Sequence, residues 1–406
     1  RSHPGGAVMT RISKPAPSID PGPVDVSLAA TLVGLIAFGV VMVYSASAVY
    51  AGNTFGNGHH FLIRQTMFAL VAFAVLAVFT RIKIDWLRAA TYPVLLLAVV
   101  LMLAVAMGFG RSAGGATRWL ALGPVNVQPA EAAKLAMIMW LAHSLAKKAN
   151  RVRTFSIGFL PHVIVAGLLM LLCLAQPDFG SAVMIALLTF VVLFAAGARA
   201  GYLLGGLLLA LPVGYAAIAS SPYRMRRIKA FLEPFEHRQG AGYQITESLM
   251  SFGSGGWTGA GLGDGRQKLL FLPEAHTDFI SAIIGEELGF IGVVLLCAAF
   301  AWIVLRGLRA AWRVQDEYAA YLAAGMTLFI GLQAFTNLAV AMGLLPTKGL
   351  ALPFVSYGGS SLIVNAAAAG IVLNISRFGV SVRKADKDPA PRKKPAPRLR
   401  AAQGGA

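Results

Sequence analysis

The 406-residue chain is 57% apolar and only 13% charged, and its net charge is +18. A soluble domain carries roughly twice that charged share, so a water-soluble globule is excluded. Uncharged runs such as 27–50 exceed the roughly 20 residues a helix needs to cross a bilayer, and the pattern lacks the short alternating segments of a β-barrel.

In chain order the sequence reads as an all-α, polytopic membrane protein with ten transmembrane helices. The predicted spans lie at about 27–50, 62–80, 89–110, 132–147, 155–175, 179–198, 201–219, 279–305, 318–343 and 359–376. Residues 1–25 form a cytoplasmic N-terminal segment in which Met9 reads as a native start, with 1–8 a remnant of expression. Residues 26–377 form one membrane domain, and 378–406 a disordered basic cytoplasmic tail. That tail suits anionic lipid at the inner leaflet, with docking of a cytoplasmic partner as the alternative. Cys173 and Cys297 fall inside apolar spans as core fillers. No internal repeat is visible, which weakens an inverted-repeat transporter reading.

Cations gather in alternate loops, at Arg81, Lys83 and Arg88, at Lys147, Lys148, Arg151 and Arg153, at Arg199, and at Arg306, Arg309 and Arg313. This distribution places both termini in the cytoplasm and argues against nucleic acid as the reason for the charge. Two external loops then stand out, 111–131 and a large one at about 220–278 between spans seven and eight. The second is far too long for a plain connection.

The stretch FLPEAHTDFISAIIGEELGF, 271–290, carries Glu274, His276, Asp278, Glu286 and Glu287 into an apolar span, where charge is costly. Asp278 sits at the external water–membrane boundary, and on spacing alone an N-cap and a functional acid are equally good readings. At 100° per residue Glu286 lies about 80° round from Asp278 and Glu287 on the opposite side, so at least one of the two glutamates is expected to brace a neighbouring span, with assistance to a metal or the cavity as the alternative for one of them. Arg224, Arg226, Arg227 and Lys229 follow span seven, either snorkelling or holding an anionic headgroup. The glycine-dense 253–265 misses P-loop and GxGxxG spacing, and reads as a flexible loop letting backbone approach a substrate. Glu131 and Lys134 can pair at a helix start, and Asp178 in QPDFGSA is a possible cap. Prolines and glycines in 345–361 forbid a regular helix there, and irregular backbone at that depth belongs inside protein or beside a cavity. No His/Cys cluster has zinc spacing. Physical reasoning ends at an outward-facing site for an anionic, lipid-linked substrate.

Four motifs carry the sequence further: RWLALGPVNVQPAEAAKL at 118–135, QPDFGSA at 176–182, the run from GYQITESL through LPEAHTDFISAIIGEELG at 242–289, and LPTKGLALPFVSYGGSSL at 345–362. Together they resemble the SEDS family of peptidoglycan glycosyltransferases, of the FtsW and RodA type, across about Val26 to Arg377. The Pro-Thr-Lys-Gly form at 346–349 is nearer the division (FtsW) than the elongation (RodA) members. The resemblance implies polymerisation of lipid II at the outer face of a bacterial cytoplasmic membrane, at the division septum, with release of undecaprenyl pyrophosphate. It makes Asp278 the general base for the acceptor 4-hydroxyl. It also implies Mg²⁺ or Mn²⁺, with no organic cofactor and a metal site the motifs do not specify. An FtsI-like class B penicillin-binding protein transpeptidase is the implied partner, beside other division membrane proteins. Substrate-binding positions expected from these motifs are Arg118, Trp119, Gln128, Glu131, Lys134, Asp178, Arg224, Arg227, Gln244, Lys268, Glu274, His276, Lys348, Ser356 and Ser360. Of these, Arg118, Lys134, Arg224 and Arg227 are the candidate cations for the pyrophosphate. Ala130 and Ala132 depart from the family pattern, as do Glu247, where Gln is usual, and Asp264, where Asn is commoner. A lipid II flippase and a non-catalytic division scaffold are the rival readings.

Overall fold

A computed structural model describes residues 22–113, 116–123, 125–240, 242–269 and 272–385. Within them ten helices coincide with the predicted spans: α1 (Val26–Phe55), α2 (His60–Phe79), α3 (Ile84–Ala104), α4 (Pro129–Lys147), α5 (Leu160–Ala175), α6 (Phe179–Ala195), α7 (Ala200–Ala219), α10 (Ile280–Arg313), α11 (Glu317–Ala341) and α12 (Gly359–Ala385). Among the described residues eight helices are long and apolar enough to cross a membrane. Of the others, α6 is apolar but has 17 residues, and α4 carries Glu131, Lys134 and Lys147. The chain is a helical, polytopic membrane protein. The last helix runs beyond residue 377 to Ala385. The tail expected from there on and most of the N-terminal segment lie outside the described residues.

Burial grades the bundle from centre to edge. The apolar windows of α11 and α12 are each 72% buried, whereas α7 buries none of its residues. α11 packs on α4, α6, α10 and α12, and α2 lies along α12. A helix apolar on every face, as α11 is, belongs in the middle of such an assembly.

Two features lie in the long loops, and the first departs from the expected all-α plan. The first of the two loops expected to be external folds into a three-stranded antiparallel sheet, β1 (Arg111–Ala113), β2 (Ala116–Leu122) and β3 (Val125–Val127). Arg111 pairs with Trp119 and Leu120 with Val127. Two of the strands have only three residues, and the seven of β2, ATRWLAL, do not alternate apolar with polar, so no strand signal registers in the sequence. The second long loop carries two helices, α8 (Pro222–Leu232) and α9 (Tyr243–Gly255).

The glycine-dense segment after α9 packs against α10. α10 breaks at Gly289, whose φ is 65° and ψ −165°. The break frees backbone groups, and the loop 256–261 takes them up. Ala260 and Gly261 N–H groups donate to the Glu286 and Glu287 carbonyls, while Phe290 and Ile291 donate to Gly256 and Trp257. Gly259 has φ 84°, and a Cβ there would lie 2.1 Å from the Glu287 carbonyl oxygen. The glycines thus let backbone approach helix α10 rather than a substrate. The segment re-enters the bundle, satisfying irregular backbone within protein.

Candidate active site

Asp278 lies in the turn before α10. The N-cap of that helix is Phe279, with no side-chain cap bond, so Asp278 is not its cap. Its backbone is held from elsewhere: Asn337 Nδ2, on α11, donates to the Asp278 carbonyl at 2.8 Å and to the Leu350 carbonyl at 2.7 Å. Ser356 Oγ donates to the Thr277 carbonyl and accepts from Leu352 N–H. The Tyr357 N–H donates to the His276 carbonyl. The turn bearing Asp278 is therefore strapped to the irregular segment between α11 and α12. Sequence reasoning missed Asn337, although it and Gln333 stand out as amides in an otherwise apolar span.

The carboxylate itself is left available. Among the described residues no hydrogen bond is made to it, and it faces Gly349, where a Cβ would come within 3.3 Å of Oδ2. Burial, and then the Glu274 charge, push the Asp278 carboxyl up to about 7 against the opposing pull of Arg227 and Arg118. A carboxyl raised towards neutrality is suited to proton transfer.

Two cations, Arg227 and Arg118, act on this acid, and two more gather at Phe179. Arg227 donates to the Thr347 carbonyl at 3.0 Å, and Arg118 to that of Pro177. The Phe179 ring, at the start of α6, has the Arg224 guanidinium 5.6 Å and the Lys348 ammonium 5.8 Å from its centre. Burial lowers the Lys348 pKa. Phe179 was also overlooked in the sequence, although it stands inside the QPDFGSA motif. A cavity of about 760 Å³ adjoins, lined by Tyr223, Arg226, Arg227, Lys229, Tyr243, Gln244 and Pro273 among others.

Other expected site residues hold this frame together. Asp178 caps α6 through Ser181 N–H and accepts from Gln128 Nε2 at 3.1 Å. Ser360 Oγ accepts the Gln128 N–H. Glu274 has φ 56° and accepts from the Thr277 hydroxyl. The His276 ring sits among Tyr50, Phe61 and Tyr357, 4.5 Å from Phe61, and burial lowers its pKa against the pull of Glu274. Trp119 is half-buried on β2. Lys134 is committed to Glu131 at 2.6 Å, with both side chains buried.

Lys268 lies apart from the Asp278 group. It pairs with Glu287 at 2.7 Å and donates to Ser45 and the Gly263 carbonyl. Glu286 accepts instead from the Arg266 and Gln267 N–H groups. The two glutamates therefore have separate bracing partners, as their helical phase implies. Glu247, the departure that added charge, is paired with Arg238 at 3.2 Å.

Known proteins resemble the chain over most of its length. The FtsW, RodA and SpoVE profile, described as "Cell cycle protein", matches residues 26–380. The chain is 48% identical over 353 residues to a protein of Geobacter metallireducens named "Probable peptidoglycan glycosyltransferase FtsW", covering 87% of this chain and 94% of that one. An Alkalilimnicola ehrlichii protein of the same name is 43% identical, covering 93% and 94%. Among solved structures, a chain from a peptidoglycan synthase complex described as coordinating polymerization and crosslinking superposes with a TM-score of 0.73 at 29% identity, covering 88% and 98%. The Thermus thermophilus rod shape determining protein RodA gives 0.62 at 27% identity, covering 87% and 97%.

Proposed function

The chain belongs to the FtsW, RodA and SpoVE family of cell cycle proteins, and from that membership we propose that it is a peptidoglycan glycosyltransferase that polymerises lipid II. The observation that carries the catalytic assignment is the Asp278 carboxylate, free of hydrogen bonds among the described residues while its own backbone is clamped by Asn337. In this reading Asp278 takes the proton of the acceptor sugar's 4-hydroxyl. The oxygen attacks the donor's anomeric carbon, and the bond to the lipid pyrophosphate breaks.

Negative charge develops on the departing pyrophosphate and needs fixed counter-charge. Arg118, Arg227 and Lys348 supply it, whereas Lys134, already balanced by Glu131, is a support for α4. The adjoining cavity, with tyrosines, two glutamines, several cations and Glu236 in its wall, takes the sugar and phosphate portion of a lipid-linked substrate. Among the described residues no three His, Cys, Asp or Glu side chains gather as a metal cage. We therefore place Mg²⁺ or Mn²⁺ with the substrate's own phosphate oxygens and derive no step through it.

The proposal extends to topology and setting. All ten helices cross the membrane, both termini are cytoplasmic, and Asp278 is reached from outside. A class B penicillin-binding protein cross-links the product at the division septum, a reading supported by the similarity to a chain of a peptidoglycan synthase complex. The test is purified protein in detergent with lipid II and a divalent cation, alone and with such a transpeptidase. Glycan chains from wild type and none from Asp278→Ala support the polymerase. Polymer from both removes Asp278 from the mechanism, and lipid II crossing vesicle bilayers without polymer favours a flippase.

A further inference from the structure

Three arginines converge on a cavity at the end of α10 remote from Asp278. The helix has 34 residues, so its ends lie up to roughly 50 Å apart at 1.5 Å per residue. Arg306, Arg309 and Arg313 stand at i, i+3 and i+7, within about 60° of one another around the helix. They line a cavity of about 220 Å³ together with Asp25 and Ser376. That is the liquid volume of about seven waters, room for a phosphate group and part of what it esterifies.

Asp25 already shows what the cavity recognises. Its carboxylate accepts from Arg306 Nε at 2.7 Å and from Leu28 N–H at the start of α1. An oxyanion between a guanidinium and a helix N-terminus is well matched in charge. Among the described lining residues Asp25 is the acid, and it engages Arg306. Arginines at a membrane boundary ordinarily snorkel outward into water, whereas these three share one concavity. Trp302 lies under the Arg306 guanidinium at 5.5 Å, and Trp312 is 86% exposed. Tryptophans of that kind mark the lipid–water interface, so the cavity opens at the membrane surface rather than into bulk water. Arg is also the side chain whose fork fits phosphate oxygens.

We infer that this cavity binds the phosphate headgroup of an anionic phospholipid through Arg306, Arg309 and Arg313, in the leaflet opposite the one from which Asp278 is reached. The site is independent of the glycosyltransferase reading.

The experiment is native mass spectrometry of the full chain in detergent, titrated with phosphatidylglycerol, phosphatidylcholine or inorganic phosphate. Wild type is expected to hold phosphatidylglycerol about tenfold more tightly than phosphatidylcholine, and the Arg309→Gln, Arg313→Gln double variant to lose that preference. Asp25→Ser keeps a helix cap while removing the competing carboxylate, so it should tighten phosphatidylglycerol binding. Equal retention of phosphatidylglycerol by wild type and the double variant overturns the inference. So does inorganic phosphate binding as tightly as the lipid. If the double variant fails to fold, Asp25→Ser decides, and unchanged or weaker binding refutes the site.

Discussion

Lys268 and Glu287 form an ion pair of 2.7 Å in which neither side chain is more than 6% exposed. One partner comes from the re-entrant loop and the other from α10, with the Ser45 hydroxyl of α1 donating to the same carboxylate. Removing one member of such a pair leaves a buried charge and costs about 3–5 kcal/mol. Lys268→Met and Glu287→Gln should each lower the melting temperature of the detergent-solubilised protein, and the double variant should recover much of the loss. Additive losses would show that the pair is not coupled.

Replacing Asp278 with Asn retains shape and removes the base. Polymer formation should fall by about two to four orders of magnitude, the usual contribution of a general base. Lipid II binding, followed by fluorescence of a labelled analogue, should change little. A loss of binding that matches the loss of turnover would point to a binding role instead.

Because the Asp278 carboxyl is held near 7, the polymerisation rate should fall as pH drops through neutrality. Glu274→Gln removes a like charge and should move that acid limb to lower pH, whereas Arg227→Gln should move it higher. Stability runs the other way. With its folded pKa above the ordinary 3.8, Asp278 favours the folded state at low pH and loses that contribution as pH rises towards about 7. Asp278→Asn should therefore melt above wild type at pH 8, and the gap should close near pH 4.

Gly259 and Gly253 make a matched comparison. A Cβ on Gly259 would meet the Glu287 carbonyl at 2.1 Å, while one on Gly253 meets nothing within 4 Å. Gly259→Ala should yield little folded protein by size-exclusion chromatography. Gly253→Ala, within α9, should be neutral or stabilise by about 0.4–1 kcal/mol.

The spans were legible because about 20 uncharged residues in a row leave few alternatives. Position along α10 also told Glu286 from Glu287, since helical phase is fixed by sequence alone. What spacing left open was the job of Asp278, as cap or acid. That depended on where Phe279 ends the turn and on Asn337, 59 residues away in the chain. The sheet and the re-entrant loop were not legible either. Two strands have only three residues and the seven of β2 lack alternation, and glycines state that backbone comes close without naming its neighbour.

The Gly289 break gives α10 two segments whose directions are set separately. Four main-chain hydrogen bonds to residues 256–261 fix the angle between them, so the joint is splinted rather than loose. The upper segment aims Asp278, and the lower one ends among the three arginines. A push on the 256–268 stretch would therefore steer the acid directly, without turning the whole helix as a single rod.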